Sequence, residues 1–276
     1  MKSNNPEISD PLFREAVAAI DAGDVSALEH LLAQHPRLVR DRLEYGEGYF
    51  RQPYLLWFVA ENPIRQGRLP QNIVPVTRAI LLAVEREAPD SLQAQIDCAL
   101  GLVSSGRIAR EHGVQRELID VLCDAGADPE GALVPALAHR EVAAAERLLA
   151  HGARLTLLAA VCTGRTAEIA RLAPGASADE RQAALAGAAF YGQAHHLDRL
   201  IDLGVDINAY SPPGFHPHGT ALHHAVDSGS FDAVQALVQA GADLGRKDRI
   251  YQGTPLGWAE HLNRPEIAAY LRERAG

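Results

Sequence analysis

The residues best suited to chemistry are histidines. Phe215-His216-Pro217-His218 is followed closely by His223 and His224, which puts four imidazoles within nine residues. Imidazoles bind zinc, nickel or copper when two or more converge with a carboxylate. His216 and His218 lie on a stretch rich in Pro and Gly that could fold over a helix carrying His223. Such a loop, 215–224, is what a metal-binding protein, a small-ligand protein or an enzyme would need. The competing reading gives these imidazoles structural positions on a helix and its approach loop. His195-His196 reads as the solvated start of a helix, and His112 and His139 are isolated.

Other reactive constellations are missing from the sequence. No Gly-x-Ser-x-Gly elbow and no Cys/His nucleophile signature occurs. Cys98, Cys123 and Cys162 show neither CxxC nor metal spacing, and they read as buried structural thiols. The odd count argues against a disulfide framework and for a reducing, cytoplasmic setting. Asp120, Asp124 and Asp128 recur every four residues, the pattern of a charged helical face and an ordinary terminus. Gly46-Glu47-Gly48-Tyr49 lacks the strand and the GK[ST] of a phosphate loop. We therefore expect no catalytic residue, no bound metal and no cofactor.

Aromatic residues are the stronger pointer to binding. Tyr45, Tyr49, Phe50, Tyr54, Trp57 and Phe58 fall within fourteen residues, in a chain with fifteen aromatics in all. Arg51, Arg65 and Arg68 lie nearby. Aromatics and arginine dominate interface hot spots. Tyr49, Phe50 and Trp57 are therefore candidate contacts, with a locally packed core as the rival reading. Tyr210, Phe215, His216, Tyr251 and Trp258 form a second candidate patch.

The bulk numbers narrow the function class. A net charge of −9 and an isoelectric point of about 5.7 argue against nonspecific nucleic-acid binding. The average charge suits a basic or mixed partner. Lys2 and Lys247 are the only lysines, so arginine carries nearly all the positive charge. The N-terminal Met1–Glu7 is polar and lacks the apolar run of a signal peptide. The densest apolar stretches, near Leu55–Ala60 and Ile80–Val84, are too short to span a bilayer.

These residues need elements to position them, and the elements repeat. Thr220, Leu222, Ala225 and Leu237 recur 34 residues later at Thr254, Leu256, Ala259 and Leu271. Leu185, Ala188, Gly192, Leu200 and Gly204 precede Leu222, Ala225, Gly229, Leu237 and Gly241 by 37. Leu157, Ala160, Gly164 and Leu172 stand a further 28 before. Each unit predicts a short helix with Leu-x-x-Ala, a turn, and a second helix ending at Gly-Ala-Asp or a similar triplet. The glycine is the expected left-handed cap. No pair can bury its apolar face alone, so the pairs must stack.

Gly219-Thr220-Ala221-Leu222-His223-His224-Ala225 and Gly253-Thr254-Pro255-Leu256-Gly257-Trp258-Ala259 resemble the ankyrin Gly-x-Thr-Pro-Leu-His-x-Ala signature. The first departs at Ala221 and the second at Gly257. The endings Leu122–Asp128 and Leu237–Asp243 also match, and the chain is similar to a divergent, bacterial-type ankyrin repeat protein. The resemblance implies that Thr closes the turn before the helix and that His bonds neighbouring backbone. It places Trp57 where His223 sits.

The fold class expected is all-α: an ankyrin-type α-solenoid of stacked helix-turn-helix repeats with short or absent β-hairpin fingers. A single domain over 1–276 would hold eight pairs, near 12–35, 54–86, 92–125, 131–151, 155–173, 180–204, 220–240 and 254–274. Residues 43–53, 62–72, 104–113 and 209–218 read as inserted loops, and Arg272, Glu273 and Arg274 as the polar face of a terminal cap. The expected function is a non-catalytic scaffold that binds another protein through its concave groove and inserted loops. A cytoplasmic monomer without nucleic-acid or membrane partners is expected.

Overall fold

Several helix starts in this chain are written in short polar side chains. Asp10 accepts the Leu12 N–H at 2.9 Å ahead of α1 (Pro11–Ala22), and Asp24 accepts the Ala27 N–H at 2.9 Å ahead of α2 (Val25–Gln34). Such caps satisfy amide groups that the first helical turn leaves open. The computed structural model describes residues 8–275. The expectation drawn from Met1–Glu7 and Lys2 lies outside them. No helix among them is long and apolar enough to cross a membrane.

The described residues group into two compact units that meet in sequence at Arg154 and Leu155. In the first unit, α1 and α2 are followed by α3 (Arg37–Arg40), a 3-10 turn over Leu55–Ala60 and α4 (Ile73–Glu87). The unit continues with α5 (Leu92–Ser104), α6 (Arg107–Glu111) and α7 (Gln115–Asp124). It closes with α8 (Pro129–Ala138) and α9 (Val142–Ala150). The second unit contains α10 (Leu157–Cys162), α11 (Thr166–Leu172), α12 (Ala178–Phe190) and α13 (Ala194–Ile201). It ends with α14 (Ala221–Ser228), α15 (Phe231–Gln239), α16 (Pro255–His261) and α17 (Pro265–Ala275).

The repeat register is the core register. In the second unit Leu157, Leu185 and Leu222 are buried, as are Ala160, Ala188, Ala225 and Ala259. Leu200, Leu237 and Leu271 complete the same cluster from the second helices. The small alanines let neighbouring first helices approach closely, while the leucines supply most of the area removed from water. Arg272 and Glu273 on α17 are exposed, and Arg272 pairs with Glu260 at 2.7 Å.

Gly241 illustrates how a second helix stops. Its φ is +94°, its N–H donates to Val238 O, and the Ala242 N–H reaches back to Leu237 O. This is the Schellman pattern that the Gly-Ala-Asp triplet predicts. The same geometry corrects the expected loop over 104–113. Those residues contain α6, which stops at Gly113 (φ +72°) with the Val114 N–H returning to Ala109 O. The second helix of the third pair is therefore broken in two at one glycine, and residues 107–111 of the expected loop are helical.

Among the described residues there are no strands, and one isolated antiparallel bridge joins Tyr210 to Thr220. The fingers are thus as short as the sequence predicts. A Cβ at Gly241 would meet no atom within 4 Å, so Gly241→Ala tests the backbone conformation alone. It should destabilise the second unit by about 1 kcal/mol, the left-handed cost less the gain from a stiffer unfolded chain. Thermal unfolding followed by circular dichroism checks this.

Candidate functional site

Two fingers, residues 209–219 and 246–253, precede α14 and α16. In the first, the Ser211 N–H donates to Gly219 O at 3.0 Å; in the second, the Asp248 N–H donates to Gly253 O at 2.9 Å. The Arg249 N–H donates to His218 O at 2.8 Å and ties the fingers together.

His223 joins consecutive repeats. Its Nε2 lies 3.1 Å from Gly253 O, and its Nδ1 lies 2.8 Å from Thr220 Oγ1 and 3.3 Å from Thr220 N. A carbonyl can only accept, so Nε2 carries the proton and Nδ1 accepts from Thr220. Burial pushes the His223 pKa down, and the imidazole is held neutral. Trp57, expected in the equivalent slot, behaves alike: its Nε1–H donates to Gln95 O at 3.2 Å.

The next helical position points back to its own finger. His224 Nε2 is 2.8 Å from the Ser211 hydroxyl, and Trp258 Nε1–H donates to Asp248 Oδ2 at 3.0 Å. Asp248 is fully buried. Its Oδ1 accepts the Ile250 and Tyr251 N–H groups at 2.8 and 2.6 Å, and Oδ2 also accepts the Gly253 N–H at 2.8 Å. Burial raises the carboxyl pKa, but the indole and the backbone N–H donors outweigh it and pull it down to about 2. One carboxylate therefore shapes the second finger and aims the indole.

Beside that indole lies a cleft of about 550 Å³, lined by Asp227, Tyr251, Gly257, Trp258, His261 and Leu262, among others. Gly257 stands where His223 stands one repeat earlier, and the missing imidazole leaves space there. Tyr251 is 77% exposed and Ile250 61%. His218 stacks on Trp258 with ring centroids 5.8 Å apart. Sequence reasoning picked out Tyr251 and Trp258 but missed Asp227, His261 and Leu262. Their helical spacing from Trp258 and from the equivalent His224 was the available signal.

Other predicted residues are placed differently. Phe215 is 1% exposed and packs edge-on against Phe190 at 5.6 Å. Burial removes it from any contact surface. His216 is half-buried, 4.4 Å from the Phe190 ring. Tyr210 is half-buried; its hydroxyl donates to Lys247 O at 2.6 Å. Among the described residues no group of three or more His, Cys, Asp or Glu side chains is arranged to hold a metal ion. His196 is buried rather than solvated, and its pKa is lowered by burial and then by His195.

In the first unit the aromatic cluster is mostly core. Phe50 and Trp57 are 2% and 6% exposed, with Phe50 5.3 Å from Phe58 and 6.2 Å from Trp57. Arg42 lies 4.6 Å over Tyr54, and Arg65 4.8 Å over Phe58. The loop before the 3-10 turn packs back because its rings find one another, which leaves Phe50 and Trp57 out of a partner's reach. Tyr49 alone among the three proposed contacts is exposed, at 66%. Of the thiols expected to be buried, only Cys162 is; Cys98 and Cys123 are half-buried, and burial raises both to about 11 and pushes Cys162 further up.

The family description "Ankyrin repeats (3 copies)" matches residues 107–248 and 185–276, more than half of the chain. The chain belongs to the ankyrin repeat family. It is similar to Ankyrin repeat and SOCS box protein 6 of Mus musculus, 40% identical over 60 residues, which is 22% of this chain and 14% of that protein. The Homo sapiens protein of the same name is 38% identical over 68 residues, 25% of this chain and 15% of the relative. The match thus spans about one-seventh of these relatives' length.

Asp248 gives the site a pH signature. Its folded pKa lies below the ordinary 3.8, so its stabilisation is present above about pH 4 and is lost as the pH falls toward 2. The full effect is about 2 kcal/mol by linkage. Denaturant melts of the protein and of Asp248→Asn should differ at pH 7 and converge near pH 2; a constant gap would contradict the assigned role.

Proposed function

We propose that this protein is a non-catalytic scaffold that binds another protein through the finger-side groove of its second unit. The observation that carries the reading is the cleft beside Trp258, rimmed by the exposed Tyr251 and Ile250. Ankyrin repeats generally mediate protein–protein interaction, and the chain belongs to that family. The cleft is concave and largely apolar, with a few polar groups at its edge, which suits an inserted anchor side chain. Its floor is rigid because Asp248 and His218 hold the Trp258 indole from two sides. A rigid floor lowers the ordering cost on binding.

The proposal includes one ankyrin repeat domain over residues 1–276, acting as a cytoplasmic monomer with no nucleic-acid or membrane partner, no metal and no cofactor. The net charge of −9 supports the nucleic-acid part of it.

The test is capture of partners from native lysate, followed by affinity measurement on the purified pair. Tyr251→Ala with His261→Ala should weaken binding by about tenfold or more, the scale of a hot-spot loss. Tyr49→Ala, on the other unit, should leave it unchanged. Equal recovery of every partner by the Tyr251/His261 variant would remove the cleft from consideration.

A further inference from the structure

The second unit carries another cleft, of about 740 Å³, with different chemistry. The start of α12 supplies Arg181, and the fingers supply Tyr210, Arg246 and Arg249. We propose that this cleft docks an acidic segment of a protein partner, whose carboxylates are read by the guanidinium groups of Arg181, Arg246 and Arg249. The inference rests on the protein-binding reading above and adds the partner's chemistry.

Three observations carry it. First, the positive charge is held in place. The Arg246 and Arg249 guanidiniums lie 4.9 and 4.1 Å from the centre of the Tyr210 ring, whose hydroxyl is anchored on Lys247 O. Cation–π contact fixes two long side chains that would otherwise lose entropy on binding.

Second, the charge is not neutralised. Arg181, Arg246, Lys247 and Arg249 form no ion pair among the described residues. Some exposed arginines elsewhere do so, such as Arg171 with Glu168 and Arg272 with Glu260. Arg181 spends two nitrogens on the carbonyls of Leu203 and Pro174, and its buried Nε has no partner. Three arginines against Asp179 and Asp206 leave the lining with an excess of one positive charge, in a chain of net charge −9.

Third, the lining favours carboxylates over phosphate. Asp179 and Asp206 also line the cleft, and Asp206 Oδ1 accepts the Asn208 N–H at 2.9 Å. Two carboxylates beside the arginines repel a dianion more strongly than a monoanion. Separate planar forks suit several single charges spread along a peptide. Complementarity of this kind steers encounter and sets orientation, while the apolar cleft supplies the anchor.

The experiment uses the whole chain and a fluorescein-labelled decapeptide of alternating Glu and Ala, read by anisotropy at about 50 mM salt, where screening is weak. The peptide should bind, and R246E/R249E should lower its affinity by about tenfold or more. Both side chains are exposed, and R246Q/R249Q provides a variant without charge reversal; circular dichroism checks that each folds. The neutral variant should also lose affinity, by a smaller factor. A Lys/Ala peptide should not bind, and one phosphoserine in place of Glu should bring no gain. No binding by the wild-type chain, binding indifferent to Arg246 and Arg249, equal binding of the Lys peptide, or binding by the phosphoserine peptide alone would each overturn the proposal. The Tyr251→Ala/His261→Ala protein should bind the acidic peptide as the wild type does. Loss of peptide binding with intact Tyr251-dependent capture removes the arginine cleft alone, and the reverse pattern removes the aromatic cleft alone.

Discussion

One neutral imidazole couples neighbouring repeats. His223 accepts from Thr220 on one side and donates to Gly253 O on the other, so a single ring closes its own helix start and fixes the next finger. A short helix pair cannot bury its own apolar face. It needs a neighbour at a defined distance, and a buried ring with both nitrogens bonded sets that distance better than apolar contact alone. Trp57 does the same with one donor in the first unit, reaching Gln95 O. The chemistry of the slot is thus a ring N–H aimed at the next repeat's backbone, and the residue type is secondary.

In the repeat of α16 and α17 that slot carries no ring. Gly257 replaces the imidazole, and the vacated volume opens onto the finger-side face beside Trp258. Asp248 then takes over the organising role. It gathers three backbone N–H groups and the indole, and so the finger that carries the exposed Ile250 and Tyr251 stays ordered. The same finger row carries Arg246 and Arg249 over Tyr210. The proposed binding residues gather on and beside these two fingers.

Much of this is legible in residue spacing. The Leu-x-x-Ala and Gly-Ala-Asp registers predict the helix pairs and their stops, because burial and left-handed capping restrict residue type strongly. The break at Gly113 is not legible, since a glycine between two polar helical stretches reads equally well as a loop. Tyr251 and Trp258 stand out as aromatics on a finger and a first helix. Phe50, Trp57 and Phe215 carry the same signal yet lie in the core, because an aromatic side chain looks alike in composition whether it packs inward or outward.

Residue order is enough to define the repeat, the family and the short fingers. These depend on local rules and on a periodicity that every unit restates. Only three-dimensional packing settles which aromatics face solvent, which histidines are spent on internal hydrogen bonds, and which arginines form no ion pair. Several of those properties depend on contacts between residues 30 or more positions apart, such as His223 with Gly253 and Tyr210 with Lys247, and no local pattern encodes them.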